Sequence, residues 1–177
     1  ANSQSFLGFV ADTKFNVNRG FFENPFSLSI TTATPGATIR YTTDGSSPSS
    51  SHGSVFTVPF SISSTTIVRA IATKPNHVST DVDTQSYFFP QDVILQSIDG
   101  STPMGWPTTG AVNGQMTVYG MDPDIVEGFN TPEEVKQALV AIPTLSIATE
   151  MDSLFGQANG IYVNAKSDGR TWERPMS

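Results

Sequence analysis

The chain has 177 residues, 37% hydrophobic and only 14% charged, a length that suits one medium domain or two small ones with a real core. It contains no cysteine, which excludes disulfides, thiolate nucleophiles and Cys-based zinc sites. The net charge of −7 is uneven: five basic and five acidic residues precede Pro90, and four basic and eleven acidic residues follow from there. Nucleic acid is therefore excluded as a partner for want of a basic face. No apolar run approaches the roughly 20 residues of a membrane helix, so insertion in a membrane is excluded too. The opening residues lack a basic, apolar leader pattern, and a leader is expected to have been removed or to lie upstream.

Residues 1–11 read as an extended N-terminal segment. From Phe26 the sequence alternates with the period of a strand: "FSLSI" sets Phe26, Leu28 and Ile30 on one face, and "TIRYTT" does the same with Ile39 and Tyr41. "TTIVRAIAT" (65–73) carries apolar residues on both faces, the pattern of a strand covered from two sides, and "TQSYFF" (84–89) closes the series. Turn signals separate these runs at "TPGA", "TDGSSPSS" and "KPNH". Short strands at this spacing predict an immunoglobulin-like antiparallel β-sandwich over 12–89, with Tyr41 in its core. In "YTTDGSSPSS" (41–50), Gly45 is free to take a positive φ, Asp44 can bond the backbone ahead of it, and Pro48 holds Ser47 extended. Those properties account for the decapeptide as a turn.

"TPGATIRYTTDGSSPS" followed by "ISSTTIVRAIATKPNHVST" resembles the chitobiase/β-hexosaminidase C-terminal domain family, over roughly residues 24–89. The resemblance rests on the Tyr-Thr-Thr-Asp-Gly turn, the proline after it and the "RAIA" strand. It implies an accessory sandwich attached to secreted enzymes and surface proteins, without the hydrolase active site. A glycosidase needs two spaced carboxylates in a cleft, and the resemblance supplies none.

After the boundary at 89–91, "NTPEEVKQALVAIPT" begins as a helix: Thr131 caps it, Pro132 takes the first position and Glu134 completes a capping box. Val135, Ala138, Leu139 and Ile142 make one apolar stripe, predicted to be buried, and Pro143 ends the helix. "TLSIAT" (144–149) and "GIYVN" (160–164) read as strands, and "AKSDGRTW" as a hairpin turn on Asp168-Gly169. Residues 90–177 are thus expected to form an acidic α+β region. "FFPQDVILQS", "YGMDPDIV", "IPTLSIATEMDSLFG" and "GIYVNAKSDGRTWERPMS" resemble the lead-in to the CotH-type spore-coat kinase domain of large secreted bacterial proteins. That resemblance implies that the kinase-like body, with its nucleotide and metal residues, lies beyond Ser177, and that this chain is a truncated portion.

Little in the sequence has the form of catalytic machinery. His52 and His77 both stand in turns, no G-x-S-x-G nucleophile elbow occurs, and there is no P-loop, G-x-G-x-x-G or H-E-x-x-H. No cofactor is expected. Calcium is the metal that the oxygen donors suit: "DVDTQ" (81–85) begins like a calcium loop without its glycine and distal glutamate, while Asp122, Asp124 and Glu127 gather within one turn. Solvated acidic loops are the commoner outcome for such clusters, and Asp122 or Asp124 can equally cap a helical turn at "PDIVEGF". Carbohydrate binding calls for exposed aromatic rings, and the candidates are Trp106 in "TPMGWPTTG", Tyr119 and Trp172, with packing as the competing role. The reading is a non-catalytic extracellular or cell-surface accessory module for scaffolding, adhesion or carbohydrate binding. Its partners would be a polysaccharide or surface glycan and neighbouring domains of a larger protein. A self-assembling structural protein and an inactive fragment of a CotH-type kinase are the alternatives.

Overall fold

A computed structural model describes residues 6–129 and 131–177, without the side chains of residues 127–129. The chain divides into two compact units. One takes the residues up to Gly20 together with Asn24–Tyr87, and the other takes Phe21–Glu23 and Phe88–Ser177.

The first unit is the immunoglobulin-like sandwich. Its larger sheet runs in the order β2 (Gly20–Phe21), β9 (Asp83–Phe88), β8 (Thr66–Thr73), β5 (Thr38–Thr42), β6 (Ser54–Val55). Two antiparallel ladders make the opposite layer, β1 (Thr13–Phe15) with β4 (Ile30–Thr32) and β3 (Phe26–Leu28) with β7 (Phe60–Ile62). The layers meet where β1 lies against β8 and β4 against β5. Between them Leu28, Val68, Ala70, Ala72 and Tyr87 are fully buried, each large apolar side chain contributing about 1.5–3 kcal/mol relative to exposure. The central position of β8 explains its two-faced apolar pattern, because it pairs with β5 on one edge and β9 on the other.

The run "FSLSI" is two strands and not one. It changes partner at Ser29, from β7 to β1. The Asn16 side chain replaces the ladder there: its amide donates to the Ser27 carbonyl at 3.1 Å and accepts from the Ser29 N–H at 2.7 Å. Backbone groups that leave one ladder are thereby satisfied before they enter the next. Leu28 and Ile30 still point inward, as the period of two requires. Tyr41 is only half-buried, because it sits toward the edge of the sheet, stacked on Phe60 at 4.5 Å with Phe56 edge-on. The stretch before Ala11 runs parallel to residues 76–78, with the Leu7 N–H donating to Asn76 O, the Val10 N–H to Val78 O and the Val78 N–H to Gly8 O.

Apart from Phe21 and Phe88, which end β2 and β9, the regular elements of the second unit are helical among its described residues. α1 (Pro90–Leu95), a π-helical turn (Asp124–Phe129), α2 (Pro132–Ala141), α3 (Met151–Phe155) and a 3₁₀ turn (Arg170–Trp172) are its elements. Ile94, Val126 and Val135 form its small core, with Ile98, Met121 and Leu139 packed against them. The capping box of α2 is complete: Thr131 Oγ accepts from the Glu134 N–H, and the Glu134 carboxylate accepts from the Thr131 N–H at 2.8 Å. The apolar stripe of α2 is buried only at Val135, however. Ala138 is exposed, Leu139 half-buried, and Ile142 is 63% exposed beyond the helix end.

Three expected elements did not form. Residues 144–149 form no strand. Ala148 instead exchanges both backbone bonds with Ser177, and Thr149 Oγ donates to the Pro175 carbonyl. Residues 160–164 are turns, closed by Gly160 N–H on Gly156 O, Asn164 N–H on Gly160 O and the Asn164 amide on the same carbonyl. A Cβ at Gly160 would lie 2.5 Å from the Gly156 nitrogen, so the close turn depends on glycine. Asp168-Gly169 opens the 3₁₀ turn with Gly169 at φ 84°, and no hairpin follows. The region beyond the sandwich is thus α, where α+β was expected, among the described residues.

Candidate functional site

Ser46, Asp44 and His52 bring the residue types of a nucleophilic triad into one turn. The Asp44 carboxylate accepts from the Ser46 N–H at 3.0 Å and from the Ser46 hydroxyl at 2.6 Å, and Ser46 Oγ lies 3.0 Å from His52 Nε2. A serine hydroxyl has one proton, and the short bond commits it to Asp44. Ser46 Oγ is then the acceptor toward His52, so the imidazole holds no general-base position against that hydroxyl. The two bonds from Ser46 hold the Asp44 carboxyl below its ordinary range, with a smaller contribution from His52. Thr42 Oγ donates to Ser46 O at 2.6 Å and Arg69 to Gly45 O at 3.0 Å, which sews the turn to β5 and β8. The polar groups of this loop hold the turn in place.

The aromatic candidates separate into two places. A chain of turns carries Trp106 and Tyr119 to each other: Thr109 Oγ donates to Thr117 O at 3.2 Å, and Tyr119 Oη donates to Pro107 O at 2.7 Å. The two rings meet edge-to-face at 5.4 Å, and Phe155 meets Trp106 in the same manner at 5.5 Å. Tyr162 continues the row, 5.4 Å from Phe155. Trp106 is 41% exposed and Tyr162 37%, while Tyr119 and Phe155 are half-buried. Two edge contacts fix the indole plane and leave part of it open, a contact surface that loses little entropy on binding. Trp172 has no ring contact with this row among the described residues. Arg174 lies over it at 5.2 Å and anchors on the Asn159 carbonyl at 2.6 Å.

Phe155 and Tyr162 were not among the sequence candidates. Tyr162 sits in "GIYVN", whose alternation reads as a strand, and Phe155 carries no local signal beyond its helix.

Asp122 accepts from the Asp124 N–H at 3.0 Å and, through its backbone carbonyl, from Ile125 and Val126. It thus starts the π-helical turn, and both aspartates are exposed. The Glu127 side chain lies outside the described residues. Asp83 of "DVDTQ" accepts from Thr13 Oγ and from Gln85, within the sandwich. Among the described residues, no group of three or more metal-binding side chains comes together. His77 Nδ1 lies 2.9 Å from the Pro75 carbonyl, in the turn where its sequence places it.

Residues 17–84 match the family described as the chitobiase/beta-hexosaminidase C-terminal domain. That span holds the sandwich strands from β2 through β8 and the start of β9, with the Asp44–Ser46 turn inside it. No curated protein and no solved structure matches the chain.

Proposed function

We propose that the chain is a non-catalytic, extracellular accessory module of a larger protein, in which the sandwich is the scaffold and the aromatic row at Trp106 holds carbohydrate. The similarity of residues 17–84 to the chitobiase/beta-hexosaminidase C-terminal domain carries this reading. The turn chemistry supports it, because the Asp44, Ser46, Thr42 and Arg69 side chains are bonded within the fold. A fixed, part-open tryptophan is the kind of surface on which the apolar face of a pyranose stacks. In the same proposal, residues 90–177 are the lead-in to a CotH-type body, a reading that rests on the resemblance of the four quoted segments alone.

The test is retention on insoluble polysaccharide. Chitin and cellulose are mixed with the protein and with Trp106→Ala, and the unbound fraction is measured. The protein is expected on the solid and the variant in solution. Absence of retention on every glycan tried, or equal retention of the variant, would overturn the carbohydrate reading.

A further inference from the structure

Away from Trp106, the second unit contains an open cleft of about 500 Å³ between the short Phe21–Glu23 segment and α2. That volume lies in the range of small-molecule sites. Phe21 and Phe22 line one side and Val140 the other. The two phenylalanine rings are backed by Phe88 and Phe89, with centroids 5.8 and 6.2 Å away and tilted, so the wall is braced from behind. An apolar slot with a supported aromatic wall takes a flat or branched hydrocarbon body.

Charge at the mouth selects what that body carries. The ionisable lining residues are Glu23, Glu133 and Lys136. Lys136 is engaged by Glu133 at 2.5 Å, one helical turn away. The bond to Glu133 raises the Lys136 ammonium above its ordinary range, and the charges of Glu133 and Glu23 add to it. One ammonium faces two carboxylates, and its direct bond is to Glu133. Exposed Glu23 therefore remains the carboxylate that an incoming group would meet. The surrounding field has the same sign: the second unit holds twelve acidic and four basic residues, which raises the local concentration of cations.

We infer that this cleft is a binding site for an organic monocation with an apolar body, such as an arylalkylammonium group on a small molecule or side chain. The hydrocarbon lies against Phe21, Phe22 and Val140, and the cation meets Glu23. This site is separate from the Trp106 row and stands or falls independently of carbohydrate binding.

Titration of the full chain with 2-phenylethylammonium, 2-phenylethanol and 3-phenylpropanoate, followed by amide chemical shifts, tests it. The cation is expected to saturate, with shifts at Phe21, Phe22 and Val140. It should bind about five-fold more tightly than the alcohol, the scale of one solvent-exposed charge pair, and the anion should bind more weakly than either. Glu23→Gln should bring the cation down to the affinity of the alcohol, and added salt should do the same to the unaltered protein. Equal affinities for cation and alcohol, a preference that survives Glu23→Gln, shifts centred elsewhere, or failure to saturate would each overturn the assignment.

Discussion

Two glycines in one turn region provide a controlled measurement of what holds the sandwich edge. Gly45 and Gly53 both have positive φ, +83° and +95°. A Cβ at Gly45 meets nothing within 4 Å, whereas one at Gly53 lies 2.8 Å from the Tyr41 carbonyl oxygen and 3.3 Å from Thr42 Cγ2. Gly45→Ala thus incurs the backbone penalty alone, about 1 kcal/mol. Gly53→Ala incurs a similar penalty and must also displace a β5 carbonyl, an overpacking cost of about 1–3 kcal/mol more. The Gly53 carbonyl accepts from Arg40 at 2.7 Å, so the displacement reaches β5 through a second contact. Urea unfolding followed by far-UV circular dichroism should therefore rank the variants, with Gly45→Ala lower by about 1 kcal/mol and Gly53→Ala by about 2–4 kcal/mol. Equal losses would refute the close approach of Gly53 to β5, and a larger loss at Gly45 would refute the open space assigned to that turn.

Thr131→Ala removes the cap of α2 and should cost about 0.5–2 kcal/mol, while Thr131→Ser should be close to neutral. Both tryptophans lie in the second unit, so their emission during unfolding reads this pair, and equal losses would discount the cap. The Asp44 carboxyl is held below its ordinary pKa by its bonds to Ser46, so its stabilisation is complete above about pH 4 and is lost as pH falls further. Asp44→Asn keeps an acceptor for Ser46 without the charge. The variant should lose less stability than the unaltered protein between pH 5 and pH 3, measured by urea midpoint; parallel losses would remove Asp44 from that pH dependence.

What the sequence revealed tracks the range of the interactions involved. The Asp44 turn and the Thr131 capping box are made by residues within four positions of one another, and both were readable as such. The strand character of 26–30 and 65–73 was readable from period two. The change of partner at Ser29 was not, since it depends on Asn16 thirteen residues earlier. Residues 144–149 and 160–164 failed as strands for a related reason. Alternation of Leu145 with Ile147 gives a strand-like face, but a strand also needs a neighbour to bond. Here the bonds go to the C-terminal residues in one case and to local turns in the other. Trp106 and Tyr119 were readable as exposed or half-exposed rings, whereas the row they make with Phe155 and Tyr162 depends on loop closure across about fifty residues.

The division of the chain also has a consequence in time. Phe21 and Phe22 belong with the second unit, where Phe88 and Phe89 are their ring partners. During synthesis at about 5–20 residues per second, the later pair follows the earlier by roughly 3–13 seconds. For that interval two aromatic rings are carried by a nascent sandwich with nothing of their own unit yet made. The last strand of that sandwich, β9, ends on the very phenylalanine that Phe21 awaits. Synthesis of the last residue of β9 and of the ring partner of Phe21 therefore coincide, because both are Phe88.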